Sequence, residues 1–243
     1  MKLSLAAAVT LAMATLAALP ARAEDKKPDN EVSFNVGLTS DYRYRGISQS
    51  RLQPALQGGA DYVNNPSGFY AGTWMSTIKW TKDALGGGDL EWDLYGGKKG
   101  ELIKDVSYDI GALAYVYPSN GLNPNANTFE LYGQLGYGPA YVKYSGATTN
   151  LFAAPDSKNS GYLDMGANID IDTGLVLNLH VGHQRVKNNS NLSYTDYKIG
   201  VTKDFGVCSV ALALIGADVD TYVAPNGKNL ARTAAVLSVT KTF

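Results

Sequence analysis

The sequence predicts an all-β protein: a transmembrane antiparallel β-barrel of about twelve strands, after a cleaved N-terminal signal peptide. Three observations carry that reading. Apolar and polar residues alternate with a period of two along most of the chain; short turns alternate with long polar loops; and no apolar run after the N-terminus approaches the ~18 residues of a spanning helix.

The chain opens MKLSLAAAVTLAMATLAALPARA, with Lys2 as the basic region, an apolar run from Leu3 to Leu19 and the small-x-small triplet Ala21-Arg22-Ala23. Residues 1–23 are therefore expected to be a signal peptide. Residues 24–31, EDKKPDNE, read as a solvated lead-in, and 32–243 as one barrel domain.

From Val32 the even positions are Val32, Phe34, Val36, Leu38, Tyr42 and Tyr44, against Ser33, Asn35, Asp41, Arg43 and Arg45 on the odd ones. A helix repeats every three or four residues, so this is read as one long strand ending in SDYRYRG (40–46). The same dyad returns around Leu56–Tyr62, Leu90–Leu94, Val106–Val116, Phe129–Leu135, Leu163–Ile169, Leu175–Val181 and Tyr197–Val201. Runs at 69–80, 139–145 and 207–217 are blurred, and the last, 232–243, ends on Phe243. Short connections are read at 64–68, 137–139, 170–174 and 204–206, with 96–105 a looser member of that set. Long ones are read at 47–54, 81–89, 118–128, 145–161, 184–193 and 219–231, and are expected to lie outside the cell.

Alternation by itself fits a soluble barrel as well as a membrane one. The export signal, the loop asymmetry, the even strand count and the lone Cys208, which rules out an intrachain disulfide, favour the apolar face meeting outer-membrane lipid and the charged face meeting a lumen. The expected pore-lining residues are then Asp41, Arg43, Arg45, Asp61, Glu91, Asp93, Asp109, Glu130, Asp164 and Lys198, with Lys79 and Asp196 on the same face. Tyr42 and Tyr44 are placed in the interfacial girdle, Arg43 and Arg45 at the mouth, and Cys208 among buried small hydrophobes.

The order SDYRYRGISQS (40–50), PALQGGADY (54–62), GFYAGTW (68–74), LEWDLYGG (90–97), SYDIGALAYVYP (107–118), SYTDYKIGVTKDFG (193–206) and LSVTKTF (237–243) resembles the TorF-like family of proteobacterial outer-membrane porins. The resemblance spans the mature chain. It implies an outer-membrane barrel and says little about substrate; the 145–161 loop and the surroundings of Cys208 carry no matching motif.

Other chemistries are weakly supported. Loss of Lys2 and Arg22 moves the formal charge from −1 to about −3, which disfavours nucleic acid as a partner. His180 shares a face with Asn178, as a barrel hydrolase would need, but both point to the lumen and no serine accompanies them; His183 is read as a rim residue. Asp170 and Asp172 in DIDTG lack the later ligands of a calcium loop, and the Gly133, Gly136, Gly138 and Gly227-Lys228 patterns lack the context of nucleotide loops. No catalytic residue, metal site or cofactor is expected. The functional expectation is passive diffusion of small polar solutes through a narrow charged lumen; the alternative is a non-conducting structural or adhesion barrel closed by paired charges.

Overall fold

The computed structural model describes residues 28–243, so the signal peptide expected at 1–23 lies outside the described residues. In chain order the elements are β1 (Asn30–Thr39), β2 (Arg43–Tyr44), β3 (Ile47–Ser48), β4 (Ala55–Asn64), β5 (Phe69–Thr77), α1 (Trp80–Asp83), β6 (Leu90–Ile103), β7 (Val106–Val116) and β8 (Thr128–Tyr137). There follow β9 (Ala140–Ala147), β10 (Gly161–Asp172), β11 (Leu175–Arg185), a 3-10 turn (Ser190–Leu192), β12 (Tyr194–Asp204), β13 (Ser209–Ala217) and β14 (Ala234–Thr242). Twelve of the strands close into one antiparallel barrel, each pairing with its neighbours in sequence, and β14 returns to pair with β1. Phe243 extends that seam through reciprocal backbone hydrogen bonds with Phe34.

Closure follows from the solvent. Hydrocarbon offers no partner to a backbone N–H or C=O, so a spanning sheet with an open edge leaves a row of them unpaid. The outer face carries Val32, Phe34, Val36, Leu38, Ile110, Leu131, Leu135, Ile199, Leu212, Leu214 and Leu237, all exposed to the surroundings of the barrel. Their chain neighbours Glu91, Asp93, Asp109, Glu130, Lys143 and Asp164 are buried inside. That is the inverse of a soluble barrel and marks a transmembrane one. Among the described residues no helix is long and apolar enough to cross a membrane.

Short turns at 65–68, 104–105, 138–139, 173–174 and 205–208 share one end with both ends of the described chain; the connections at 40–54, 78–89, 117–127, 148–160, 186–193 and 218–233 share the other. Several boundaries differ from the sequence reading. The stretch 96–105 is mostly strand: β6 runs to Ile103, leaving only Lys104-Asp105 as the turn, because its alternation continues past the lysines. β9 runs to Ala147, so the loop begins later than Ser145, and β1 begins at Asn30, inside the expected lead-in. Cys208 is half-buried in a short turn, where its carbonyl accepts from the Phe205 N–H, and is not a core residue.

Leu179 faces outward near the middle of β11, opposite Ile199 and Ala167. Leu179→Arg is expected to cost about 2–4 kcal/mol, the usual range for a cation at bilayer mid-depth, read as a lower urea midpoint for refolding into lipid vesicles. Unchanged stability would place this face away from hydrocarbon.

Candidate functional site: a crossbar in the lumen

The largest departure from the sequence reading is at 40–50. β1 does not run on to Arg45; the chain leaves the wall after Thr39 and folds into the lumen as the hairpin β2–β3, pairing Arg43 with Ser48 and Tyr44 with Ile47. The two-residue turn Arg45-Gly46 has φ of 45° and 79°, the left-handed pair that a tight hairpin of this hand requires. Gly46 is needed on a second count: a Cβ there would stand 2.6 Å from that of Asp196 and 2.8 Å from the Gly216 carbonyl oxygen. The hairpin tip therefore presses against the β12–β13 wall.

Asp41 organises the turn-in. Its carboxylate accepts from Arg43 Nε at 2.6 Å and from the hydroxyls of Ser48 and Ser50, while the Ser50 hydroxyl accepts from the Tyr42 N–H at 3.0 Å. Arg43 is 8 % exposed, and its Nη1 donates to the carbonyls of Gly46, Leu230 and Arg232. It is a clasp joining the hairpin to the 218–233 loop, not a residue open to a water-filled mouth.

Tyr42 and Tyr44 are not girdle residues. Tyr42 is 3 % exposed, packs edge-on against Trp74 at 5.3 Å and donates to Glu91 Oε1 at 2.6 Å. Burial, then the nearby Glu91 and Asp93 carboxylates, pushes its phenol well above the usual value, so it stays a donor. Tyr44 donates to the Tyr115 hydroxyl at 2.7 Å and packs against Phe152.

Arg45 completes a crossbar. From the end of β1 it reaches β8, which lies across the barrel in the strand order, and forms a two-pronged pair with Glu130 at 3.0 and 2.7 Å. Its Nη1 also donates to Gln184 Oε1 at 2.6 Å, and the guanidinium lies 4.1 Å from the Tyr162 ring centroid. The two charged side chains are 6 % and 3 % exposed, so water is largely excluded there.

Beside the crossbar, His180 sits between two carboxylates: Nδ1 meets Asp164 Oδ1 at 2.8 Å and Nε2 meets Asp196 Oδ2 at 2.7 Å. Both contacts are satisfied at once by the ring protonated at both nitrogens. Neither nitrogen is then left as a base. His183 faces outward and contacts Thr195.

The wall itself is built from tyrosines lying across glycines. Tyr70, Tyr95, Tyr132 and Tyr141 stand directly opposite Gly97, Gly72, Gly111 and Gly166 on the next strand, where a Cβ would fall within 2.4–2.7 Å of ring or hydroxyl atoms. Each ring can then lie along the wall and carry its hydroxyl onward. Tyr95 donates to Asp61 at 2.6 Å, Tyr70 to Asp109 at 2.6 Å, Tyr141 to Asp164 at 3.1 Å, and Tyr162 similarly to Asp196 at 2.8 Å.

Of the residues singled out from sequence, Asp61, Glu91, Asp93, Asp109, Glu130, Asp164, Asp196 and Lys198 are on the inner face of wall strands, whereas Asp41, Arg43 and Arg45 belong to the inserted hairpin. Lys79 is in neither set: it precedes α1 in a long loop and contacts Gln53. Sequence reasoning missed Lys143, directly opposite Asp164 and 4.0 Å from the Tyr132 ring centroid, because the alternation of β9 is blurred by tyrosines on both faces. It also missed Gln184, whose lumen phase is legible from Asn178 and His180 at two-residue steps.

A family model described as a bacterial protein of unknown function, Gcw_chp, matches residues 23–243. The chain belongs to the Gcw_chp family. Among solved structures it is similar to the KdgM porin, at 6 % identity and TM-score 0.56, with 87 % of this chain and 97 % of that chain covered. It is similar to the same porin in complex with disordered oligogalacturonate, at 6 % and 0.55 with the same coverage. A third similar structure, from work on in-meso crystallization of membrane proteins, has 8 % identity and TM-score 0.52 over 87 % of this chain and 83 % of that one. At such identities the likeness is one of fold: this Gcw_chp chain has a porin-like barrel. No curated protein matches it.

The sequence reading has Arg43 and Arg45 lining the mouth, where a side chain in water contributes little to folding. The crossbar reverses that expectation. Arg45→Gln leaves Glu130 buried without its cation and is expected to cost about 3–5 kcal/mol in urea unfolding from vesicles. Adding Glu130→Gln should recover a large part of the loss, and a double variant as unstable as the sum of the singles would refute the pair.

Proposed function

We propose that the chain is an outer-membrane channel, exported through the periplasm of a Gram-negative cell, that passes small polar solutes by diffusion along a narrow bore constricted by residues 40–50. The observation that supports this is the chemistry of the bore. Toward the short-turn end, half-buried polar side chains such as Ser33, Asn35, Asp61, Lys99, Gln134, Lys198 and Thr202 face the interior. An interior that only had to be filled is filled at least as stably by apolar side chains, since buried charge pairs seldom repay their desolvation. A charged, wettable bore suits traffic. The ten residues named from sequence divide accordingly: Asp61 and Lys198 line the wet part, Glu91, Asp93, Asp109, Glu130 and Asp164 the narrowing wall, and Asp41, Arg43 and Arg45 the constriction. The porin-like fold and the resemblance of 40–50 to the TorF-like porins support the same reading, and lipid and small polar solutes are the partners it implies. KdgM is a porin recorded with an oligogalacturonate; this bore offers fewer bases than acids, so a polyanion is a poor candidate here.

One observation favours a second reading. The dryness of the Arg45–Glu130 pair fits a structural barrel closed by paired charges. Planar-bilayer recording separates the two. Wild-type protein is expected to give small discrete steps, and the double variant Arg45→Ala, Glu130→Ala steps at least twofold larger, because the crossbar is removed without stranding a charge. Folded but silent protein in both cases would establish the closed barrel.

A further inference from the structure

Above the crossbar, at the long-loop end, the hairpin, α1 and the loops 148–160, 186–193 and 218–233 border a half-open cavity of about 150 Å³. We infer that this cavity is a binding site for one uncharged, single-ring aromatic molecule carrying a hydrogen-bonding substituent. The inference goes beyond channel activity, because occupancy is measured without conduction.

Three features select that class. The first is charge: in a protein whose interior is crowded with carboxylates and bases, no residue lining this cavity is charged. An ionic ligand would lose its hydration with no counter-charge to replace it. The second is size and lining. Ile47, Leu151, Val186, Leu192 and Leu230 contribute aliphatic wall, and a volume of ~150 Å³ matches one benzene-sized ring. Its aromatic members meet edge-on, Trp80 with Tyr117 at 5.0 Å and 81°, and Tyr194 with Tyr222 at 5.6 Å and 81°. A further ring is accommodated by the same edge-to-face geometry. A sugar of similar size would set most of its hydroxyls against these aliphatic groups, unpaired.

The third is a small set of polar groups in the lining, among them the Tyr194 hydroxyl, the Gln49 amide and the buried, unpartnered Trp80 Nε1. Tyr44 donates to Tyr115, Tyr222 donates to the Leu192 carbonyl at 2.9 Å, and Tyr117 is bonded to Glu91. Tyr194, only 7 % exposed, has no hydrogen-bond partner among the described residues. Tyr194 lines the cavity, and its oxygen is not among the sealed, unpartnered polar atoms. A few polar groups in a largely apolar lining suit a guest with a hydrogen-bonding substituent, and the Tyr194 hydroxyl is the one whose removal keeps the ring in place.

The test uses the full mature chain in lipid nanodiscs, with 4-fluorophenol, fluorobenzene and 4-fluorobenzoate as probes followed by fluorine NMR, and empty nanodiscs as the blank for partition into lipid. The phenol should bind saturably at one site, fluorobenzene more weakly, and the benzoate not at all. Tyr194→Phe, which keeps the ring and its packing, should weaken the phenol at least fivefold and leave fluorobenzene unchanged. Leu192→Trp, filling the cavity, should abolish both, with heat-modifiable gel mobility confirming that each variant is folded. No saturable signal above the blank, binding of the benzoate as tight as that of the phenol, or an equal effect of Tyr194→Phe on phenol and fluorobenzene would overturn the assignment.

Discussion

In hydrocarbon every backbone N–H and C=O must find a partner within the protein, and the rest of this structure is arranged around that requirement. On the wall the β ladder meets it, and β14 meets it again by returning to β1. The difficult place is where the chain leaves the wall at Ser40 and crosses the interior. There the Ser40 N–H still donates to the Leu237 carbonyl, the Gln49 N–H donates to the Tyr42 carbonyl, and the Ser48 N–H donates to that of Leu230. What the backbone leaves open is met by side chains: Ser50 takes the Tyr42 N–H, and Arg43 serves carbonyls of both the hairpin and the neighbouring loop. Arg43 of SDYRYRG, held by Asp41, is thus first of all a means by which irregular backbone is tolerated inside a barrel.

This explains which parts of the protein were legible beforehand. The wall was, because a closed barrel in lipid forces a strict two-residue period on every strand and strict alternation of turns and loops, and both survive in the sequence as pattern. The crossbar was not, although its residues stood out. A tight hairpin keeps the same period of two as the strand it interrupts, so Tyr42, Arg43, Tyr44 and Arg45 continue the dyad after the chain has left the wall. The sign of departure was chemical: Gly46 after Arg45 at a tight turn, and an aspartate followed at positions 48 and 50 by serines able to bind it. The tyrosine–glycine pairs were illegible for another reason. Each partner is visible, but their meeting depends on register between strands, which no single strand encodes.

Charge on the two parts is complementary. Asp93, Glu130, Asp164 and Asp196 are held on the wall by strand register, while Arg45 arrives on one short segment whose other arginine, Arg43, is paired internally with Asp41. An acid-rich interior is self-repelling; Arg45 on the inserted hairpin, paired with Glu130, and His180 between Asp164 and Asp196 relieve it locally, while Arg43 is balanced by Asp41 within its own segment. The wall and the segment are therefore interdependent in a way that neither apolar packing nor the β ladder supplies.

The same division sets the bore. Toward the short turns the interior is polar and half-exposed; at the hairpin it is dry, because aromatic rings and a two-pronged ion pair fill the section. If the barrel conducts as proposed, resistance is concentrated in its narrowest section, and that section is made by a segment which is not part of the ladder. In the proposed channel, the width of the constriction can then change with the side chains of residues 40–50 and their few wall partners while the hydrogen bonds that keep the barrel closed in lipid remain as they are.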